Sequence, residues 1–170
     1  MSRTLYSASL AACLLGLAPS AAVAAGNIDR PEAVKLDPDY EAGKKAWDAK
    51  DWDGAIKSLT LAAQHDPNNA DIQNLLGYSY RKKRNMDLAF KYYGRALELD
   101  PNHRGAHEYV GVAYLMVDDL PKAEEHLAAL NKLCFLPCSE YRDLKQAVAD
   151  YKQRKANPQQ SERTNQSDPY

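Results

Sequence analysis

Small and apolar residues recur along the middle of the chain at intervals of 34. Gly43, Gly77 and Gly111 are spaced in this way, as are Ala55, Ala89 and Ala123, and Pro67 and Pro101. In each unit the glycine precedes the alanine by 12 residues, and in the first two units the proline follows the alanine by 12. That is the order of a helix, a turn and a second helix. Asp66-Pro67-Asn68-Asn69 and Asp100-Pro101-Asn102 read as stops that end one pair of helices and open the next. The pattern predicts an all-α domain over 36–157, with helix-turn-helix units at 36–69, 70–103 and 104–137. Gly and Ala mark where two helices of a pair touch, because only a small side chain lets two backbones come close. Leu, Tyr and Phe fill the layers between units. Each pair leaves an apolar face that only the next can cover, so the last needs a lid. Tyr141, Leu144, Ala147, Val148 and Tyr151 recur at three- and four-residue spacing and predict that lid as a helix over 139–157, with Ser139 as its N-cap and Glu140 and Asp143 near its first turn.

The flanks follow other patterns. Arg3, an apolar run from Leu10 to Leu17, and small residues ending in Ala22-Val23-Ala24 predict a secretory signal peptide over 1–24. Leu10-Ala11-Ala12-Cys13 resembles a lipobox, which would make Cys13 a lipid anchor. The plainer reading is an apolar leader position, since the run continues past Cys13 and an A-x-A site follows. Residues 25–35 read as a flexible linker and 158–170, rich in Pro, Gln and Ser, as a disordered tail. No later stretch approaches the roughly 20 apolar residues of a membrane-spanning helix.

Charge narrows the function classes. The whole chain carries 22 Lys plus Arg, 23 Asp plus Glu and a net charge of −1. Residues 1–24 hold one basic residue and no acidic one, leaving about −2 in the remainder. Such a balance does not suit a general nucleic-acid or membrane-surface binder. Catalytic signatures are missing too: there is no glycine-rich phosphate loop, no G-x-S-x-G, no H-E-x-x-H and no C-x-x-C-H. The reading is a non-enzymatic chain without cofactor or metal, binding a protein or peptide partner.

The spaced residues also carry a family resemblance. Leu76-Gly77, Tyr80, Ala89, Tyr93, Ala96 and Pro101 resemble the tetratricopeptide repeat at its characteristic positions, with Gln73 where Trp is usual. Ala42-Gly43, Ala55, Leu59, Ala62 and Pro67 repeat the match in the first unit, and Val110-Gly111, Tyr114, Ala123, Leu127 and Leu130 in the third. The resemblance implies a solenoid whose first helices line a peptide-binding groove. Carried over residue by residue, that groove presents Tyr40, Lys44 and Trp47, then Asn74, Tyr78, Arg81 and Lys82, then Glu108, Val112 and Leu115. Aromatic and cationic chemistry in the first two thirds suits a segment with an aromatic or aliphatic anchor and a carboxylate. Tyr40 and Tyr78 have a plainer alternative as packing between helices. Glu108 and Val112 stand where a carboxylate-gripping member would supply cations. The run Arg81-Lys82-Lys83-Arg84 reads first as cations complementing a helix C-terminus. The chain also resembles small exported bacterial members in which a cysteine pair and Glu-Tyr follow the last repeat, as Cys134, Cys138 and Glu140-Tyr141 do.

Cys134 and Cys138 flank Phe135-Leu136-Pro137, and Pro137 forces a turn there. Two cysteines in an exported chain suggest a structural disulfide. The sharper alternative is thiol or Cu(I) chemistry with His126, eight residues upstream, as third ligand. A lone surface histidine is more simply solvated.

Overall fold

The computed structural model describes residues 37–157; the expected leader, the Cys13 site, the linker 25–35 and the tail 158–170 lie outside them. Seven helices, and no strand, occur among the described residues: α1 Pro38–Asp48, α2 Trp52–His65, α3 Ala70–Lys82, α4 Met86–Leu99, α5 Arg104–Met116, α6 Leu120–Leu133 and α7 Ser139–Ala156. Consecutive helices pack as the pairs α1/α2, α3/α4 and α5/α6, and α7 closes the stack. None of the described helices is long and apolar enough to cross a membrane.

The turn within each pair is one device used three times. Lys50, Arg84 and Asp118 hold φ at 58°, 60° and 61°, a left-handed conformation that non-glycine residues adopt at a cost of roughly 1–2 kcal/mol. The strain is offset locally. The following N–H groups of Asp51, Asn85 and Asp119 donate to the carbonyls of Ala46, Tyr80 and Tyr114 at 2.9, 3.0 and 2.9 Å, capping the first helix. The side chains of the same three residues then accept from the N–H groups of Gly54, Leu88 and Lys122, capping the second.

Each pair interlocks through close contact. At Gly77 an added Cβ would stand 2.6 Å from Tyr93 Cδ1, so only glycine admits that buried ring against α3. Three apolar clusters result: Leu59, Ile72 and Leu76 with their alanines; Ala89, Tyr93, Val110 and Ala113; and Val112, Leu115, Leu130, Leu144 and Val148.

The last cluster shows where α7 lies. It packs mainly on α5, with less contact to α6. Arg104 Nε and Glu140 Oε1 are 3.8 Å apart near the starts of the two helices. At their other ends Tyr151 Oη donates to Asp118 Oδ1 at 3.1 Å and Lys155 Nζ reaches the same oxygen at 2.8 Å. So α7 runs parallel to α5. Its N-cap is Cys138, which makes no side-chain cap bond, while Ser139 is the first helical residue and its hydroxyl donates to Glu140. The expected Ser139 cap is therefore corrected: the chain turns one residue earlier, at the cysteine.

Candidate binding face of the first helices

Helices α1, α3 and α5 lie side by side, and a row of rings crosses them. Trp47 and Trp52 stand 4.9 and 5.6 Å from Tyr78, centroid to centroid, and Tyr78 meets Tyr109 edge-on at 4.8 Å. All four rings are partly exposed. The tilted and edge-on geometries satisfy the ring quadrupoles and hold the row rigid at little entropic cost. Tyr109 and Trp52 were not among the groove positions carried over from the family resemblance. Two signals find them: Tyr109 stands three residues before the groove position Val112 on α5, and Trp52 opens the second helix of the pair just after the turn that follows Trp47.

Arg81 lies under this row, 2% exposed. Its Nε donates to Tyr93 Oη at 3.3 Å, its Nη1 faces Met116 Sδ at 3.7 Å, and its guanidinium carbon stands 4.7 Å over the Tyr78 ring. Both hydrogen-bond partners are neutral. Arg81 is thus no solvated cation complementing a helix end, as first expected; the long side chain reaches inward because Tyr93 and Tyr78 give it polar and π partners. Lys82 covers Trp52 at 5.9 Å, and Lys83 pairs with Asp53 at 2.9 Å.

Other expected groove residues divide in two. Lys44 is exposed, and Tyr40 and Trp47 are half-buried against the first cluster. Asn74 is 5% exposed, and its Oδ1 and the Trp47 indole N–H are buried without a protein partner among the described residues. Val112 and Leu115 are buried in the cluster that α7 covers, so they do not line an open groove. The reason is the lid: α7 lies along α5, and Leu144, Val148 and Tyr151 cover the apolar end of the face.

Glu108 is left at the edge of that lid. Burial, with Asp143 and Glu140 of α7 adding negative charge, pushes its carboxyl up to about 7, while Arg81 acts in the opposite sense. Burial and Glu108 also push the Tyr109 hydroxyl up to about 12. The face thus runs from an aromatic stretch over a buried cation to an acidic margin at α7.

Away from this face, Cys134 and Cys138 are joined, with Cα atoms 5.8 Å apart, and leave Phe135 and Leu136 projecting into solvent. His126 is not a lone solvated side chain: it is half-buried, its Nδ1 is 2.9 Å from His107 Nδ1, and it stacks on Tyr114.

Comparison with known proteins agrees with the helices. The tetratricopeptide repeat matches residues 70–103. The human protein O-mannosyl-transferase TMTC3 is 31% identical over 75 residues, 44% of this chain and 8% of that protein. The chain therefore spans less than a tenth of the length of the curated relatives it matches. Among solved structures, the TPR2B domain of yeast Sti1 in complex with pHsp70 has a TM-score of 0.60 at 23% identity, covering 68% of this chain and 94% of that one. PcrH in complex with the chaperone-binding region of PopD has a TM-score of 0.59 at 20% identity, covering 71% and 90%. At such identities the likeness shows the fold: an all-α tetratricopeptide-repeat solenoid of three helix pairs and a closing helix.

Proposed function

We propose that this chain, a tetratricopeptide-repeat solenoid, is an exported protein–protein interaction scaffold that holds a partner segment on the face formed by α1, α3 and the start of α5. The observation that carries this reading is the ring row of Trp47, Trp52, Tyr78 and Tyr109 over Arg81, a buried guanidinium whose hydrogen-bond partners are neutral. Glu108 acts on Arg81 only through space, so the buried guanidinium lacks a charged hydrogen-bond acceptor, which a partner's carboxylate would supply. The rings supply flat apolar surface for an aromatic or aliphatic anchor. Because α7 covers Val112 and Leu115, the ligand lies over the first two units and the start of α5 rather than along the whole of all three. Neighbours of the same fold bind other proteins, Sti1 in complex with pHsp70 and PcrH with the chaperone-binding region of PopD, which supports the same use here. The scaffold contributes no bond chemistry of its own.

The chain's two tryptophans both stand in the row, so occupancy is read directly by their fluorescence. Synthetic peptides with an aromatic anchor and a free C-terminal carboxylate are titrated against the same peptides amidated. The expected result is a tryptophan signal that saturates, weakened about tenfold by amidation and by Tyr109→Ala, the loss of one well-placed contact. Peptides that bind equally well to Tyr109→Ala, or leave the tryptophans unchanged, would move the binding face elsewhere.

Export and the cysteine clasp belong to the same proposal. The residues of 1–24 support a leader, and an oxidising compartment would keep Cys134 and Cys138 joined as a tie between α6 and α7. Intact mass of envelope-expressed protein is expected to give an N-terminus at Ala25 and cysteines that alkylate only after reduction. Free thiols as isolated would return the pair to thiol chemistry.

A further inference from the structure

The second and third helix pairs share contacts position by position, and at one spot the third differs in chemistry. In the second pair Gln73 donates from its side chain to the Pro67 carbonyl at 3.4 Å, and Tyr92 stacks on Tyr80 with centroids 5.4 Å apart. One repeat later the same positions hold His107, bonded to the Pro101 carbonyl at 3.0 Å, and His126, stacked on Tyr114 at 5.6 Å. The template needs only a carbonyl partner and a flat ring, which Gln and Tyr supply. Two imidazoles satisfy both demands and add a pair of nitrogens, the two Nδ1 atoms, 2.9 Å apart on neighbouring helices.

Proton accounting makes this pair a ligand set. The Pro101 carbonyl only accepts, so His107 Nε2 carries its hydrogen, and the Nδ1 of the neutral ring is a lone pair aimed at His126. A histidine that donates its outer N–H to a backbone carbonyl while its other nitrogen faces inward has the usual second shell of a metal ligand. His126 is half-buried, and its Nδ1 faces that lone pair across 2.9 Å. Tyr114, stacked on it, fixes the ring plane. Two nitrogens on a tetrahedral ion are separated by about 3.3 Å for metal–nitrogen distances near 2.0–2.1 Å, so a slight rotation of two half-exposed rings opens the gap.

We propose that His107 and His126 form a two-imidazole site for a first-row divalent cation of the Cu(II) or Zn(II) class, held through both Nδ1 atoms with water completing the shell. Imidazole suits these ions. For both Nδ1 atoms to bind, the hydrogen between them leaves His126 Nδ1 and solvent returns one to His126 Nε2, so both rings stay neutral, no net proton is released and no electron moves. The site ties α5 to α6 beside the turn that carries Pro101, away from the ring row.

The internal repeat supplies variants that keep the fold. His107→Gln restores the Gln73 arrangement and His126→Tyr restores the Tyr92 stack. Equimolar Cu(II) added to the whole protein is followed by electron paramagnetic resonance, and Zn(II) by calorimetry. One equivalent is expected, with nitrogen hyperfine splitting from two imidazoles. Each substitution is expected to weaken binding at least tenfold with the helical circular dichroism unchanged. His65→Ala, which alters the separate cluster of Asp37, Asp39 and His65, is expected to leave uptake unaffected. Wild-type uptake no greater than that of the double variant, or loss of binding in His65→Ala, would each overturn the site. None of these substitutions touches the peptide-binding face, so peptide titration of the same variants keeps the two proposals separable.

Discussion

Gly77 in the second helix pair lets Tyr93 of its own partner helix close onto α3, whereas Gly111, one repeat later, has Leu144 of α7 in that place, 2.6 Å from where a Cβ would stand. Leu127, which occupies Tyr93's repeat position, is only half-buried. The same template therefore finishes in two ways. In the second pair the core is sealed from within and the first helix keeps its ring, Tyr78, at the surface. In the third pair the seal comes from a helix outside the repeat, and it lies over positions that the resemblance assigned to a groove. A repeat array leaves its last face uncovered, and the helix that covers it also sets where the binding face ends.

The sharpest test of that contrast is Leu144→Ala. The side chain is fully buried, and its loss is expected to cost about 2–5 kcal/mol in urea unfolding. Leu127→Ala should cost clearly less. Equal losses would mean that α7 is no more central to the third pair than its own partner helix. Reduction of the Cys134–Cys138 pair comes next, at about 2 kcal/mol on the loop-closure account of a ring this small. Hydrogen exchange should then quicken in α7 and leave α3 and α4 protected; uniform loss of protection would deny the clasp its local role.

Glu108 carries the contrast into pH. Its repeat counterpart is Asn74, which has no charge to lose, while the Glu108 carboxyl is raised from its ordinary 4.5 to about 7. Between these values the folded state binds more protons than the unfolded chain, so this group's contribution to stability falls as pH rises from about 4.5 to about 7. Glu108→Gln is expected to stabilise the protein by about 1–2 kcal/mol at pH 8, after allowance for partial solvent screening, and to flatten that fall. A variant with the wild-type pH profile would place the carboxyl in solvent.

Much of this fold is legible in the sequence because glycines, alanines and prolines at 34-residue spacing record backbone contacts, and such contacts tolerate few residue types. The closing helix is legible for another reason, the three- and four-residue recurrence of Leu144, Ala147, Val148 and Tyr151. Its placement is not: an apolar stripe shows that a helix is covered without showing which neighbour covers it, so Val112 and Leu115 read as groove residues. The place of Arg81 is not legible, because a long cation has two destinations, solvent or a buried hydroxyl, and Tyr93 lies 12 residues away on another helix. The His107–His126 pair is hidden in the sequence because its members sit 19 residues apart, and only the parallel with Gln73 and Tyr92 brings them together.

The smallest expected effect tests whether the two pairs differ only where α7 intervenes. Asn85 and Asp119 occupy the same repeat position, follow left-handed residues Arg84 and Asp118, and accept from Leu88 and Lys122 N–H at 3.2 and 3.1 Å. Neither left-handed residue is glycine, so the turn rests on its hydrogen bonds rather than on backbone freedom. Asn85→Ala and Asp119→Ala should each cost about 1 kcal/mol, the usual loss for an N-cap, and the two losses should agree within the error of denaturation. Asp119→Ala has one way to exceed its counterpart: its turn also contains Asp118, the anchor for Tyr151 and Lys155 of α7. Equal losses would show that the turn folds as a local unit whatever packs above it. A larger loss at Asp119, abolished when Asp118→Asn is already present, would show that the closing helix extends its hold into the turn itself.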